Sequence, residues 1–112
     1  MANEIINLST YFEKKRDMDA QETLNLLRSY GITFWSWGAH AFTRIGKKAL
    51  RMMVNGHHHK GHVYISVNGN DLYDVTLTTS KGTIVDTLTD IYNDQLFEII
   101  DNRIERIAAY VR

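Results

Sequence analysis

The residues of this chain best suited to chemistry are its histidines. His57, His58, His59 and His62 crowd into six positions. Alternation along an extended segment puts His57 and His59 on one side. Three imidazoles with a fourth position open make a zinc site able to activate water, so His57, His59 and His62 are the candidate metal ligands. Such a site also needs a carboxylate base and acceptors that fix the imidazole tautomers. No Asp or Glu occurs at positions 23–70, so a base would have to come from elsewhere in the fold. The competing reading is a solvated polar hairpin tip that binds no metal, and no cofactor is expected.

The same acid-free stretch holds Arg28, Arg44, Lys47, Lys48, Arg51 and Lys60. Arg44, Lys47, Lys48, Arg51 and Lys60, with His57 and His59, form a candidate binding surface that suits a phosphate backbone. Trp35 or Trp37 would supply a stacking platform for single strands. Against this stands the neutral total, 13 Lys and Arg against 13 Asp and Glu, since nucleic-acid binders usually carry a basic excess. From position 71 onward there are eight acids and four bases. The basic residues can therefore equally face the acidic C-terminal helix, within one molecule or across a homodimer. Trp35, Trp37 and Phe42 lie close together beside glycines. Such a cluster is either core or an interface anchor, the role in which exposed Trp and Tyr are favoured. There is no cysteine, no phosphate-binding glycine loop and no Gly-x-Ser-x-Gly elbow. Asp71 and Asp74 fall on different faces of a strand. The chain is therefore not expected to be an enzyme.

A chain of 112 residues corresponds to one domain, large enough to bury a core without staples. No run approaches the about 18 apolar residues that a membrane span requires. The start, MANEIINLSTYFEKKRD, lacks the basic and then apolar pattern of a secretory signal. Together with the absence of cysteine, this leads us to expect a cytoplasmic protein.

The elements that must position these residues follow from periodicity. In residues 1–16, Ile5, Leu8 and Phe12 are spaced like one face of a short helix, so this stretch is expected to be a helix or ordered arm packed on the domain or on a second copy. Residues 19–30 are a helix: Asp19 and Glu22 form an acidic capping box, Ala20, Leu24 and Leu27 share a face, and Gly31 ends it, with Ile32 expected to fold back onto Leu27. Residues 33–37 alternate like a short extended segment. Three strands follow, with inward faces Leu50/Met52/Val54, Val63/Ile65/Val67 and Tyr73/Val75/Leu77. Matching those faces requires a three-residue loop, Asn68-Gly69-Asn70, pairing Val67 with Asp71, Ile65 with Tyr73 and Val63 with Val75. Ser80-Lys81-Gly82 turns into a strand over 83–88, whose Ile84 and Leu88 would join Tyr64 and Leu72 in a second apolar patch. A helix over about 93–110 carries the stripe Leu96, Ile99, Ile100, Ile104, Ile107 and Val111. The expected fold is α+β: a curled antiparallel meander of four to five strands, with an N-terminal and a C-terminal helix packed on it.

Ser36-Trp37-Gly38, Phe42, Leu50, Val54-Asn55-Gly56, His59-Lys60-Gly61, Val63, Ile65, Val67-Asn68, Asp71-Leu72-Tyr73 and Val75, with Ile91-Tyr92, Asp94-Gln95-Leu96 and Ile99-Ile100-Asp101, resemble short proteins encoded by phages and mobile elements of gut bacteria. The resemblance covers residues 30–105. It implies an accessory protein that binds or inhibits host machinery, and it implies no activity. The first expectation is thus a non-enzymatic protein that covers a site on a protein partner through residues 34–42 and 55–62. The second is a nucleic-acid-binding module using residues 44–62. The third is a small zinc hydrolase at the histidine hairpin.

Overall fold

Side-chain alternation along the strands builds the centre of the molecule, a five-stranded antiparallel sheet in the order β1-β2-β3-β4-β5. The strands are β1 (His40–Ile45), β2 (Ala49–Asn55), β3 (Lys60–Val67), β4 (Tyr73–Thr78) and β5 (Ile84–Ile91). The computed structural model describes residues 5–7, 10–56 and 58–104. Leu8, His57 and residues 105–112, which include Ile107 and Val111 of the expected stripe, lie outside the described residues.

One face of the sheet carries Leu50, Met52, Val54, Val63, Ile65, Val75 and Leu77, all buried. Helices α1 (Ala20–Arg28), α2 (Ile32–Trp35) and α3 (Leu96–Ile104) pack on this inner face, adding Leu24, Leu27, Phe34, Leu96, Ile100 and Ile104 to one core. The expected α+β meander with helices from both ends of the chain is the observed fold. α1 starts with Asp19 as its N-cap. The Asp19 carboxylate accepts from the backbone N–H groups of Gln21 and Glu22 at 3.0 and 3.2 Å, which satisfies two of the free amides of the first turn.

The outer face is also covered. The described residues of the N-terminal segment, 5–7 and 10–16, form an arm laid across the strands. Ile6 N–H donates to the Gly82 carbonyl at 2.8 Å and Arg16 N–H to the Val67 carbonyl at 2.8 Å. Ile6 and Phe12 are buried with Ala49 and Tyr64, and Tyr11, Ile45 and Ile84 pack around them. Ile5, expected to point inward, is exposed, and its neighbour Ile6 takes the buried place.

Further expectations are corrected. Residues 32–35 form a helical turn instead of an extended segment, and Ile32 is 88% exposed rather than folded onto Leu27. The β3–β4 connection is five residues, because Val67 pairs Tyr73, Ile65 pairs Val75 and Val63 pairs Leu77. The faces still match, since a shift of two residues keeps side-chain parity. The longer loop is held by the Asn68 side chain, whose oxygen accepts from Asn70 and Leu72 N–H, and Asp71 rather than Asn70 takes positive φ, 62°. β5 runs to Ile91 and slips twice against β4. The extra residue between Ile84 and Asp86 reverses the alternation, so Ile84 packs on the outer face while Leu88 joins the inner core. The last helix begins at Leu96 instead of about position 93.

Candidate functional site

The aromatic segment divides into a buried half and a displayed half, because one helical turn separates residues that alternation would have placed together. Phe34 and Trp37 are fully buried. The Trp37 ring stacks on Phe97 of α3 at 4.8 Å between centroids, and Tyr30 stacks on Phe97 at 3.9 Å. Trp37 Nε1–H donates to the Asp101 carboxylate at 2.9 Å, so the one polar atom of the indole is satisfied. Ile32 and Trp35, three positions apart on that turn, are 88% and 51% exposed. Phe42 is half-buried, stacked against Phe34 at 6.2 Å, and the Arg28 guanidinium lies 5.6 Å from its ring centre. Phe34 is the pivot: its ring meets Trp35 at 5.0 Å and Trp37 at 5.2 Å. Trp35 thus stands against a buried aromatic base.

The basic residues do not make one continuous surface. Arg44 pairs Leu50 across the sheet and Arg51 pairs Thr43. Direct cross-strand partners share a face, so Arg44 lies on the inner side and Arg51 on the outer side. Arg44 lines a cavity of about 190 Å³ between α1 and the β1–β2 hairpin, with Gln21, Leu24 and Phe42. Lys47 and Lys48 occupy the β1–β2 turn, whereas Lys60 pairs Asn55 at the other end of β2, about 20 Å away at strand rise. Lys48 is tied to the arm through Asp17 at 3.0 Å and the Lys15 carbonyl at 2.8 Å. The carboxylates that engage basic residues come mainly from the arm and sheet, and α3 contributes Arg103 to an ion pair with Asp86 at 3.1 Å.

The histidine hairpin is docked by its backbone. His58 N–H donates to the Ile104 carbonyl at 2.6 Å, and Gly56 is so close to Ile104 that a Cβ would come within 2.6 Å of that carbonyl oxygen. His59 Nε2 contacts the His62 carbonyl at 3.2 Å, which commits that nitrogen as a donor. His62 Nδ1 is buried without a hydrogen-bond partner. Burial, then the nearby Arg51 charge, then His59, hold the His62 imidazole below the ordinary histidine range, so it is neutral at pH 7. Among the described residues no three His, Cys, Asp or Glu side chains gather as a metal-holding group, while His57 is outside them. The hairpin root does meet the aromatic segment: Asn55 N–H donates to the Trp37 carbonyl at 2.8 Å, and Gly38 lacks a Cβ where one would stand 3.2 Å from the Asn55 Cβ.

Two features had no separate signal in the sequence. Ile32 follows a helix-ending glycine, where a cap would bury it; only the second helical turn exposes it. Lys15 reaches Asp74, 59 positions away, to make a polar hub on the outer face. No protein-family model, curated protein or solved structure matches the chain.

Proposed function

We propose that this chain is a non-enzymatic binding protein whose anchor is the Ile32–Trp35 turn, and that its occupant is a partner protein with an apolar cleft rimmed by carboxylates. The observation that carries the reading is the display of Ile32 and Trp35 on one side of a turn whose alternate aromatics are locked in the core. A large apolar side chain held rigidly loses little freedom on binding, and tryptophan is over-represented among residues that dominate interfaces. The acidic rim follows from charge: Arg28 flanks the patch through Phe42, Arg44 lies behind Phe42, and no acid occurs between positions 23 and 70. On this reading the protein acts in the cytoplasm as an accessory factor of a phage or mobile element. No helix among the described residues is long and apolar enough to cross a membrane.

The test is affinity capture with the wild-type chain, Trp35→Ala and Arg28→Glu, after nuclease treatment, followed by binding measurements on the captured protein. The expected result is one protein retained by the wild type, weakened about 30-fold by Trp35→Ala, weakened by Arg28→Glu, and released faster at high salt. Capture that both variants retain, capture abolished by nuclease, or a homodimer dissolved by Ile32→Asp would each overturn the proposal.

A further inference from the structure

The arm leaves one part of the outer face open. There a cavity of about 190 Å³ is walled by Arg51 of β2, His62 and Tyr64 of β3, Ser80, Lys81 and Gly82 of the β4–β5 turn, and Ile6 of the arm. We infer that this cavity is a binding site for the terminal phosphate group of a small phosphorylated molecule.

Chain connectivity explains how these residues meet. Arg51 pairs directly with Tyr64, and His62 pairs with Thr78 at the end of β4. The next residues turn back with Thr79 N–H donating to the Thr83 carbonyl at 2.8 Å, which brings Ser80 and Lys81 over the His62 end of β3. Two cations from segments 30 positions apart in sequence (51 and 81) therefore converge on one hollow. Among the described residues the cavity lining contains no carboxylate. Among the described residues, neither the Arg51 nor the Lys81 side chain has an ion-pair partner; the ion pairs on this face involve Lys15, Arg16 and Lys48 instead. Tyr64 is only 2% exposed, yet it borders the cavity.

This donor set fits a phosphate. Arg supplies a planar fork for two oxygens, Lys a mobile point charge, and Ser and Tyr hydroxyls neutral donors. The volume, below the about 300 Å³ at which drug-sized pockets begin, admits a charged head group and leaves the rest of its carrier in solvent. A polymer backbone would need cations in a row. Here Arg44 faces the opposite side, Lys47 and Lys48 sit at the far turn with Lys48 paired to Asp17, and Lys60, on the same face two positions before His62, lies outside the lining. The geometry thus favours a terminal phosphomonoester over a nucleic acid. The site is separate from the Ile32–Trp35 patch, which belongs to the inner-face helices.

Titration of inorganic phosphate, glycerol phosphate and a short single-stranded oligonucleotide, followed by backbone and side-chain NMR of the full chain, tests the inference. The expected result is saturable shifts confined to Arg51, His62, Tyr64, Ser80 and Lys81 with both phosphate compounds. Arg51→Gln and Lys81→Gln should each weaken binding about tenfold, Tyr64→Phe should weaken it less, and Lys47→Gln should change nothing. Unaltered circular dichroism of the variants separates loss of ligand from loss of fold. Absence of saturable shifts at tens of millimolar phosphate, an equal loss in Lys47→Gln, or preferential oligonucleotide binding with shifts spreading to Arg44 and Lys47 would overturn it.

Discussion

Replacing Asp74 should loosen the N-terminal arm from the sheet and cost about 3 kcal/mol of stability. Asp74 is a buried carboxylate on the outer face, and its two oxygens hold three groups from three parts of the chain. The Lys15 ammonium lies 2.5 Å from Oδ2, the Asn68 amide donates to Oδ1 at 2.8 Å, and the Asp90 N–H donates to Oδ1 at 3.1 Å. Removing one member of a buried pair costs about 3–5 kcal/mol, because the other charge is left stranded. The lower end applies here, since the Lys15 side chain is 23% exposed and can rehydrate; the Asp90 amide and Asn68 have less freedom to do so. Asp74→Ala is therefore expected to lower the unfolding free energy by about 3 kcal/mol, or the melting temperature by about 12 °C. Asp74→Asn keeps an acceptor for Asp90 and Asn68 and should cost about half as much. The pH dependence has a definite sign. Burial opposes the charged carboxylate, but hydrogen bonds from Lys15, Asp90 and Asn68 and the Lys15 charge outweigh it and hold the Asp74 pKa below the ordinary aspartate value. The unfolded chain thus takes up the proton first as pH falls. The contribution is complete above about pH 5 and disappears as pH drops through the unfolded value near 3.9 and then the folded one. Urea denaturation of wild type and both variants, at pH 7 and pH 3, measures the whole argument. A loss below about 1 kcal/mol for Asp74→Ala at pH 7, or an undiminished difference between it and wild type at pH 3, would refute it. So would a Lys15→Met/Asp74→Asn cycle with no coupling.

The two tryptophans should separate spectroscopically. Trp35→Phe, which leaves buried Trp37, should emit further to the blue and resist acrylamide, and Trp37→Phe should do the reverse. Trp35→Ala should change stability by under about 0.5 kcal/mol, and Trp37→Ala should cost about 3–5 kcal/mol by emptying the core and leaving Asp101 without its donor; equal costs would remove the distinction on which the partner proposal rests. Gly56→Ala should destabilise by about 1–3 kcal/mol, because the added carbon meets Ile104 Cγ2 and the Ile104 carbonyl, whereas Gly69→Ala, with open space at that position, should be close to neutral in thermal melts. His62 should titrate below the usual histidine range by NMR, and Arg51→Gln should raise its pKa by removing the second-largest cause of the depression. Since the unfolded histidine protonates first, stability should fall as pH drops from about 6.5 toward the folded pKa.

Local rules carried the sequence as far as secondary structure and strand faces. The Asp19 capping box, the alternation in 50–54 and 63–67, the turn at Ser80-Lys81-Gly82 and the apolar run from Leu96 each depend on neighbours a few positions apart. All of these features have counterparts in the structure. Parity survived even where register failed, because a two-residue slip between β3 and β4 leaves the same side chains inward. What local rules miss is a single inserted residue. Val85 resembles any other strand valine, yet the bulge around it reverses the side chains that follow, as far as the second slip after Leu88, and turns Asp86 toward Arg103. The same limitation applies to residues 33–37, whose β-prone aromatics read as extended, while packing against Phe97 and Phe42 selects a helical turn.

That limitation determined which candidate site residues could be grouped correctly. Proximity in sequence placed Arg44, Lys47, Lys48, Arg51 and Lys60 in one patch, but strand pairing distributes them over two faces and two ends of β2. Arg51 instead finds Lys81, one of four bases among the eight acids of the C-terminal part of the chain. A sheet sorts side chains by parity and register before it sorts them by distance along the chain. The useful unit for reading charge in such a protein is therefore the cross-strand neighbourhood. By that measure Arg51, Tyr64, His62 and Lys81 form a group, and Trp35 with Ile32 forms another, although neither group is contiguous in composition.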